Sequence, residues 1–372
     1  MGPGLLMAFA TVFFSVFFGL YLVLLVLVGR ARPRPASGPA PAPRVSILVA
    51  ARNEAATIER CLQSLAALDS PAGQLEILIG DDASTDDTTA VVRRFIADKP
   101  QFRLLAVRNR LGAARGKSNV LAHLCRAATT DYFLLTDADM LLAPGWVRAL
   151  LAAASPGVGI VTGITTAGGS LFGRLQGLDW LFGLSLARLL TDHGVPVTAV
   201  GNNMLVTRAA YESIGGFEAL VFSVSEDLQL FGQVVGQGWQ FRNLVEPAVL
   251  GISLPQLTWH QLLRQRKRWM SGATRLPWQL GLLFGAYGAF YTVLGWPGLL
   301  PLPTLAALYA AKLLCQTLFL RRTLQQAGHR ERLGVLLLYE GYLVAMSLAV
   351  LGYAAWPGRL EWKARHYHWA EA

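Results

Sequence analysis

The sequence predicts an α/β domain with a mostly parallel sheet, combined with helices that span a membrane. Of its 372 residues, 53% are hydrophobic and only 15% are charged, whereas charged residues make up about a quarter of an average soluble domain. Between residues 44 and 252, short apolar runs rich in β-forming residues alternate with helix-like stretches. Long apolar runs lie on both sides of this region, and their lengths suit a lipid bilayer.

Residues 1–30 are predicted to be an N-terminal transmembrane anchor. Almost the whole segment is apolar, and it is long enough to span a bilayer. A cleaved signal peptide would need basic residues ahead of a shorter apolar core, but here Arg30, Arg32 and Arg34 follow the apolar run. This order favours an uncleaved anchor that leaves the following residues in the cytoplasm. A semi-rigid Pro/Ala linker is predicted over 31–43.

The region 44–252 is predicted to fold as an α/β domain outside the bilayer. Its first four strands are predicted at 45–50, 75–80, 103–107 and 131–137. Helices are predicted between them at 54–68, 86–98 and 116–128. Strands that alternate with helices indicate a parallel sheet covered on both faces. Ligands bind beyond the carboxyl ends of such strands, so functional side chains are expected there.

The last third of the chain is predicted to return to the membrane. Residues 253–275 include a basic cluster and are predicted to contain a helix at the membrane interface. Transmembrane segments are predicted within 276–357, at 277–296, 299–320 and 333–356. The basic stretch 321–332 favours the cytoplasm. With the anchor and these three segments all spanning the membrane, the basic and aromatic tail, 358–372, would lie outside the cell. Its charges favour the cytoplasm instead. If 333–356 is re-entrant, the tail returns to the cytoplasm.

The charge balance indicates membrane topology rather than nucleic-acid binding. Lys and Arg number 33 against 23 Asp and Glu, a net charge of +10, and a basic excess in a membrane protein usually marks its cytoplasmic loops. The basic residues are scattered between apolar runs and form no single stripe, so no nucleic-acid partner is expected. Cys61, Cys125 and Cys315 fit neither a zinc pattern nor a disulfide framework, and reduced, packed thiols are expected.

Carboxylates follow the predicted strands at four places. They occur in Arg52-Asn53-Glu54, in the stretch from Asp81 to Thr88, in Asp137-Ala138-Asp139 and in Glu226-Asp227. Singly, each has a simple structural explanation, such as a helix N-cap or acids in a first helical turn. Gathered at one edge of a parallel sheet, they would repel one another unless a cation lay among them. Oxygen ligands suit Mg²⁺ or Mn²⁺, with phosphate oxygens completing the coordination shell.

The order of these residues resembles a known enzyme family. Asp82, Asp137-Ala138-Asp139, Glu226-Asp227 and Gln265 to Trp269 are similar to the D, DxD, ED and QxxRW set of family 2 glycosyltransferases. The resemblance is closest to their membrane-embedded branch, which includes cellulose, chitin, hyaluronan and poly-N-acetylglucosamine synthases and ceramide glucosyltransferases. It covers roughly residues 44–270. The stretches GKSNVL (116–121), GNNM (201–204), IGGF (214–217) and WKARHY (362–367) are also similar to the family, with Ala364 where Gly is common.

The resemblance implies a GT-A fold and an inverting transfer from a nucleotide sugar, of which a UDP-sugar is the expected kind. It implies that Glu54 and Asp82 contact the nucleoside. Asp137 and Asp139 would bind the diphosphate through Mg²⁺ or Mn²⁺. Asp227, preceded by Glu226, would be the general base on the acceptor hydroxyl. Gln265, Arg268 and Trp269 would hold the diphosphate and line the acceptor entrance.

Elementary chemistry supports this division of roles. The base must reach the acceptor hydroxyl on the face of the sugar opposite the leaving group, and cations near the departing diphosphate stabilise its growing charge. Arg268 could bind such oxygens with its planar fork and stack on Trp269. Lys117 is a further candidate for donor binding through the phosphates, and a solvated loop lysine is the alternative. The basic cluster 264–268 is expected to face a diphosphate on one side and lipid headgroups on the other.

The acceptor is expected to be a lipid or another membrane-proximal molecule. A single N-terminal anchor and a compact size look more like ceramide glucosyltransferase than like the large cellulose synthases. A small processive polysaccharide synthase is the alternative, because QxxRW occurs in both, and an inactive scaffold subunit is a second alternative. The expected location is the plasma (inner) membrane, with the catalytic domain in the cytoplasm and membrane lipids around the helices.

Two charged residues are predicted to meet inside the membrane. Lys312 and Glu340 each interrupt an apolar segment, and such charges usually face the bundle interior and pair. Counted from the basic stretch 321–332, both lie at a depth of roughly 10–12 Å at a rise of 1.5 Å per residue. We therefore expect them to pair, or jointly to bind a polar headgroup or acceptor. The alternative is that Lys312 extends toward the surface and Glu340 is protonated.

Overall fold

The computed structural model describes residues 3–30, 43–70, 73–270, 277–355, 360–362 and 365–367. The predicted linker, apart from Pro43, lies outside the described residues, and so do positions 271–276 of the predicted interfacial segment. Of the tail, only two short strands are described, so Ala364 in the WKARHY stretch lies outside as well.

The strands of the described chain form one large sheet and two small ones. They are β1 Val45–Ala51, β2 Leu75–Asp81, β3 Phe102–Ala106, β4 Tyr132–Asp137, β5 Val158–Thr162, β6 Ile164–Ala167, β7 Asn203–Thr207, β8 Gln240–Asn243, β9 Leu250–Ser253, β10 Leu360–Trp362 and β11 Arg365–Tyr367. The first four lie within one residue of their predicted limits. The predicted mostly parallel α/β class is confirmed.

The helices alternate with the strands and then form the membrane bundle. They are α1 Pro3–Arg30, α2 Ile58–Ala66, α3 Thr88–Ile96, α4 Lys117–Ala127, α5 Trp146–Ala153, α6 Leu171–Thr191, α7 Arg208–Ser213, α8 Gly216–Ala219, α9 Glu226–Gly236, α10 Trp259–Met270, α11 Trp278–Leu294, α12 Leu302–Gln326 and α13 Leu333–Ala355, with a 3-10 turn at Pro247–Val249. The helix predicted from residue 54 begins at Ile58, because residues 54–57 form the turn that follows β1.

The seven-stranded sheet has the order β3-β2-β1-β4-β7-β5-β8. β1, β2, β3 and β4 are parallel neighbours, and β7 runs antiparallel between β4 and β5. In register, Ala51 of β1 lies beside Asp81, and Ala50 lies beside Asp137. The carboxyl ends of three strands therefore share one edge, and this edge carries the acidic loops.

Both faces of the sheet are covered, which explains the nearly continuous burial of β1. Successive residues of a strand point to opposite faces. Ile47 packs with Leu62 of α2 on one face, whereas Leu48 packs with Leu121 of α4 and Leu230 of α9 on the other. The two apolar cores hold the strand ends at fixed positions.

Helix α6 connects the sheet domain to the membrane bundle. Its N-cap is Ser170, whose Oγ accepts a hydrogen bond from the backbone N–H of Gly173 at 3.1 Å. Its buried face, including Leu178 and Leu181, packs in one cluster with residues of α12 and α13 such as Leu320 and Tyr339. The bundle is thus packed directly against the sheet domain through α6.

Three helices of the described chain are long and apolar enough to cross a membrane: Gly4–Arg30, Leu302–Gln326 and Leu333–Tyr353. The sequence predicted a fourth span at 277–296, but α11 has only 17 residues, a length of about 25 Å. It ends before the turn at Trp296-Pro297-Gly298, where Gly298 has a φ of 73°. α11 packs on α1 mainly through aromatic rings, and the ring centroid of Phe290 lies 4.6 Å from that of Phe17.

Candidate active site

A cavity of about 530 Å³ opens at the carboxyl edge of the sheet and extends toward the membrane helices. It is lined by all the residues predicted for donor binding, metal binding and catalysis: Glu54, Asp82, Lys117, Asp137, Asp139, Glu226, Asp227, Gln265, Arg268 and Trp269. Residues from six separate chain segments therefore meet at one place, as expected where the carboxyl ends of neighbouring parallel strands share an edge.

At one end of the cavity, the loops after β1 and β2 are locked together. The backbone N–H of Asn53 donates to Ser84 Oγ at 3.0 Å, and the N–H of Thr85 donates to Asn53 Oδ1 at 2.9 Å. Asn53 and Ala83 have positive φ angles of 53° and 52°, which for alanine costs on the order of 1 kcal/mol. The strained backbone is concentrated at the cavity rim, where such conformations often serve function.

The acidic side chains of this end are held by specific partners. Arg52 Nη1 donates to the backbone carbonyl of Asp82 at 2.5 Å and lies 3.9 Å from Asp82 Oδ2. Glu54 Oε2 accepts from Thr57 Oγ1 at 2.6 Å. Arg52, Glu54 and Asp82 all line the cavity. They form a polar rim with donors and acceptors suited to a nucleoside.

Asp137 is the last residue of β4 and Asp139 follows it, and both line the cavity. Ser253 Oγ donates to Asp139 Oδ2 at 2.9 Å, because the small β6–β9 sheet ends at Ser253. Burial, and next the negative charge of Asp137, raise the pKa of Asp139 above its ordinary value. Among the described residues, no group of three or more His, Cys, Asp or Glu side chains is arranged to hold a metal ion. Two carboxylates completed by phosphate oxygens would nevertheless suit Mg²⁺ or Mn²⁺.

Lys117 is buried between two of the predicted carboxylates. Its Nζ lies 2.7 Å from Asp137 Oδ1 and 2.9 Å from Glu226 Oε1, and its side chain is 14% exposed. Burial opposes the charged form, but the charges of Asp137 and Glu226 prevail and hold the pKa of Lys117 above its ordinary value. The alternative of a solvated loop lysine is therefore wrong. Lys117 neutralises part of the acidic cluster.

Asp227 is held against the loop that precedes β7. Its Oδ2 accepts from the backbone N–H of Gly201 at 2.9 Å, and its Oδ1 accepts from the N–H of Leu228 at 2.9 Å. Burial, and next the charge of Glu226, raise the pKa of Asp227 above its ordinary value. A carboxylate with a raised pKa that faces a cavity has the properties of a general base. The GNNM stretch thus supplies the backbone donor that orients this carboxylate.

Helix α10 presents its last turn to the cavity. The guanidinium of Arg266 lies 4.4 Å above the ring of Trp269, and its Nη2 lies 2.6 Å from Asp179 Oδ2. The stacking of Arg268 on Trp269 stays a prediction. Arg266 lies three residues before Trp269, and residues three apart share a helix face, which explains its position over that ring. Arg268 lines the cavity beside them.

The far end of the cavity is apolar. Trp180 of α6 and Trp269 of α10 meet edge to face at 5.2 Å. Beyond these rings, the walls are formed by α6, by the loop after it and by α11; the apolar lining residues there are Leu184, Ala187, Val197, Leu280 and Phe284. Sequence reasoning missed this wall, because Asp179 and Trp180 lie in a helix that also carries Arg174, Gln176 and Arg188, and no local pattern distinguishes them as cavity residues.

Lys312 and Glu340 lie outside this cavity, within the membrane bundle. Lys312 Nζ forms an ion pair with Glu340 Oε2, and their side chains are only 0% and 2% exposed. Burial of both side chains by protein rules out a lysine that extends to the surface. The structure brings the two charges together, as the depth argument predicted.

The chain is similar to a known family of glycosyltransferases and to several curated relatives. Residues 7–371 match the model of Glycosyl transferase family 21. A β-monoglucosyldiacylglycerol synthase of Synechocystis sp. is 30% identical over 235 residues, which are 62% of this chain and 47% of the relative. A poly-β-1,6-N-acetyl-D-glucosamine synthase of Staphylococcus epidermidis is 26% identical over 234 residues, 61% of this chain and 54% of the relative. The chain spans about half the length of the curated relatives it matches.

Among solved structures, a mannosyltransferase of Pyrobaculum calidifontis in complex with GDP-Man and Mn²⁺ is similar to this fold. The TM-score is 0.58 at 24% identity, and the match covers 94% of this chain and 99% of the other. At this identity, the likeness shows the fold alone. This likeness confirms the predicted GT-A fold, and the family match and the relatives confirm the prediction of a family 2-type membrane glycosyltransferase.

Proposed function

This chain belongs to glycosyl transferase family 21, and we propose that it transfers a sugar from a nucleotide sugar to a lipid acceptor at the membrane surface. The observation that supports this most directly is the composition of the cavity. One end is lined by strand-end carboxylates, and the other by apolar side chains of α6 and α11 such as Leu184 and Phe284. A polar donor and an apolar acceptor would each find a matching environment.

The donor would lie along the carboxyl edge of the sheet. Glu54 and Asp82 are proposed to contact the nucleoside, with Arg52 holding the Asp82 loop in place. Gln265 and Arg268 line the cavity from the opposite side, and an arginine fork binds diphosphate oxygens well. By its resemblance to the membrane branch of family 2 enzymes, the donor is proposed to be a UDP-sugar.

Asp137 and Asp139 are proposed to hold one Mg²⁺ or Mn²⁺ ion together with the diphosphate. Both carboxylates line the cavity. Burial, and next the charge of Asp137, raise the pKa of Asp139, and a bound cation would stabilise the ionised form of both carboxylates. When bound, the ion would offset the charge that builds on the leaving diphosphate. Lys117 lies next to Asp137 and is proposed to turn from that carboxylate toward the phosphates when the donor is present.

The transfer is proposed to be a single inverting displacement. The acceptor oxygen would form a bond to the anomeric carbon while the bond from that carbon to the diphosphate oxygen breaks, and its electron pair leaves with the nucleoside diphosphate. The acceptor proton would pass to Asp227. The backbone N–H groups of Gly201 and Leu228 keep the Asp227 carboxylate oriented, so that no reorganisation is needed during the reaction.

A small processive polysaccharide synthase is the second candidate. The edge-to-face pair of Trp180 and Trp269 favours it, because an aromatic face at the acceptor entrance could also receive a sugar ring. An inactive scaffold is disfavoured, since the carboxylates and the lysine of the site form one connected set of ionic contacts.

The test is transfer by the purified protein in lipid nanodiscs. Labelled UDP-sugars would be offered with diacylglycerol, with ceramide or with short oligosaccharides, and the products identified by mass spectrometry. Transfer to a lipid that stops in EDTA and resumes with Mg²⁺ or Mn²⁺ supports the proposal. Elongated glycan as the sole product would favour the synthase, and full activity in EDTA would remove the metal from the mechanism.

We further propose that the protein is integral to the plasma (inner) membrane, with the sheet domain in the cytoplasm. Exposed arginines between α12 and α13, among them Arg330 and Arg332, support this orientation. Labelling of a cysteine introduced by Arg330→Cys with a membrane-impermeant maleimide checks it. Reaction in inside-out vesicles alone is expected, and reaction in intact cells would reverse the orientation.

A further inference from the structure

A buried polar cluster joins helices α11, α12 and α13 within the membrane bundle. This intramembrane cluster consists of Tyr287, Tyr291, Lys312, Gln316 and Glu340. Lys312 Nζ donates to the hydroxyls of Tyr287 and Tyr291 at 3.0 and 2.8 Å and to Gln316 Oε1 at 2.8 Å. Both tyrosines in turn donate to the Glu340 carboxylate, Tyr287 at 3.2 Å. The donors and the carboxylate oxygens thus find partners away from water.

The tyrosines of this cluster share a helix face with two residues of the cavity wall. On α11, Leu280, Phe284, Tyr287 and Tyr291 follow one another at spacings of four, three and four residues, which places them on one side of a helix. The first two line the apolar end of the cavity. The last two, each seven residues or about two turns further along the helix, enter the intramembrane cluster.

The helix that carries Glu340 is itself fixed to the opposite wall of the cavity. The hydroxyl of Tyr339, the preceding residue of α13, donates to Asp179 Oδ1 of α6 at 3.2 Å. Asp179 also pairs with Arg266 of α10, and both line the cavity. Helix α13 is therefore bound to both cavity walls. Tyr339 bonds to Asp179 on α6, and the next residue, Glu340, bonds to Tyr287 on α11.

We propose that the intramembrane cluster positions α11, so that Leu280 and Phe284 form the acceptor side of the cavity, and thereby determines which acceptors fit. The inference rests on the proposed function for its reference to an acceptor. Tyr287, Tyr291, Lys312 and Glu340 act here as positioning residues, because none of them lines the cavity.

Positioning α11 requires directional contacts such as hydrogen bonds. α11 packs on α1 through apolar and aromatic contacts, chiefly around Phe290, and such contacts tolerate rotation and sliding of a helix. Near the cavity, Leu280 packs in a cluster of small and branched side chains such as Ala187 and Val197. Hydrogen bonds to a buried ion pair fix both the rotation and the height of α11, since no water competes for them.

The first experiment removes two hydroxyls and leaves the rings and the ion pair. The double variant Tyr287→Phe/Tyr291→Phe is expected to raise the KM for the lipid acceptor roughly tenfold or more. The KM for the donor and the slow hydrolysis of donor in the absence of acceptor should stay unchanged. Tyr309→Phe is the matched control, since Tyr309 is 38% exposed on the outside of α12. An unchanged acceptor KM, or equal losses for donor and acceptor, would overturn the inference.

The second experiment measures the position of α11 without catalysis. Val195→Cys and Leu283→Cys place thiols at two residues that pack against the same Ala187–Val197–Leu280 cluster but do not line the cavity. A short bismaleimide should join them efficiently with both tyrosines intact and several-fold less efficiently in the double Phe variant. Equal yields would overturn the positioning role. If the unaltered protein glycosylates no lipid, the proposed function fails, and the cross-linking yields still decide whether the cluster positions α11.

Discussion

The carboxylate of Asp227 lies directly against the backbone of Gly201. Its Oδ2 accepts the Gly201 N–H at 2.9 Å, and a Cβ at position 201 would lie 2.9 Å from the Asp227 Cβ and 3.1 Å from Oδ2. A side chain at position 201 would therefore displace the carboxylate that we assign as the base. The glycine is required by close approach and not by a special backbone angle.

Gly201→Ala should lower kcat by one to two orders of magnitude, since small displacements of a reacting group have effects on the order of 10²-fold. Donor affinity should change little. Gly232→Ala is the control, because it lies on the same helix as Asp227 and its new Cβ would meet nothing within 4 Å. Steady-state kinetics and calorimetric titration of the donor make the comparison. Wild-type turnover in Gly201→Ala would contradict the role of this contact.

Asp227→Asn should abolish transfer while donor binding persists. The change preserves shape but removes the proton acceptor, and a loss on the order of 10²–10⁴ in kcat is expected. Asp98→Asn, at a side chain 80% exposed, is the control for loss of one carboxylate. If Asp227→Asn keeps most of its activity or loses donor affinity, the residue is not the base.

The pH dependence of kcat should report the raised pKa of Asp227. The base is active only when ionised, so kcat falls as pH drops through that pKa, and the fall begins at a higher pH than an ordinary aspartate would give. Burial and the charge of Glu226 raise this pKa, whereas Lys117 opposes the rise. Glu226→Gln should therefore move the acid limb to lower pH, whatever its effect on the maximal rate. If the acid limb of the kcat profile stays in place or moves to higher pH in Glu226→Gln, Asp227 is not the base.

Lys117→Met should destabilise the donor-free protein. It would leave Asp137 and Glu226 without their shared cation. Because Asp137 is partly exposed, the loss should be on the order of 2 kcal/mol, below that of a fully buried pair. Mn²⁺ should raise the unfolding temperature of this variant more than that of the wild type, because it can replace the lost charge. Lys117→Arg is the charge-retaining control. Equal unfolding temperatures for Lys117→Met and the wild type would show that Lys117 does not stabilise the acidic cluster.

Charge reversal within the membrane should reveal the coupling of Lys312 and Glu340. Lys312→Glu and Glu340→Lys should each reduce the monodisperse fraction of detergent-solubilised protein, since each leaves like charges side by side in a buried site. The double reversal should restore much of the loss. Arg321→Glu, at an exposed residue, is the control. Single variants without effect, or strictly additive losses, would exclude the coupling.

The convergence of the acidic loops followed from local patterns. Alternating strands and helices predicted a parallel sheet, and the carboxyl ends of parallel strands must share an edge. Asp82 follows β2 and Asp137 ends β4, the two strands that flank β1 in the sheet, and both residues line the cavity. The equal membrane depth of Lys312 and Glu340 was likewise predicted by counting residues from the basic stretch 321–332.

Contacts between distant segments could not be predicted in the same way. Nothing in the local pattern shows that β7 runs antiparallel between β4 and β5, or that α6 forms a cavity wall. The contact of Asp179 with Arg266 joins residues far apart in the chain. For Trp269, the resemblance indicated a role, but the spacing along α10 decides that Arg266 stacks on it.

The sequence by itself determined the fold class, three of the four predicted membrane segments and the residues at the acidic end of the cavity, because these depend on periodicity, composition and motif order along the chain. Only the tertiary structure decided which groups touch. It placed Lys117 between Asp137 and Glu226, and it joined α11 to α13 through buried tyrosines. Such contacts depend on how helices pack and rotate against one another. Those angles are set by the summed packing of many distant side chains, which no local pattern records.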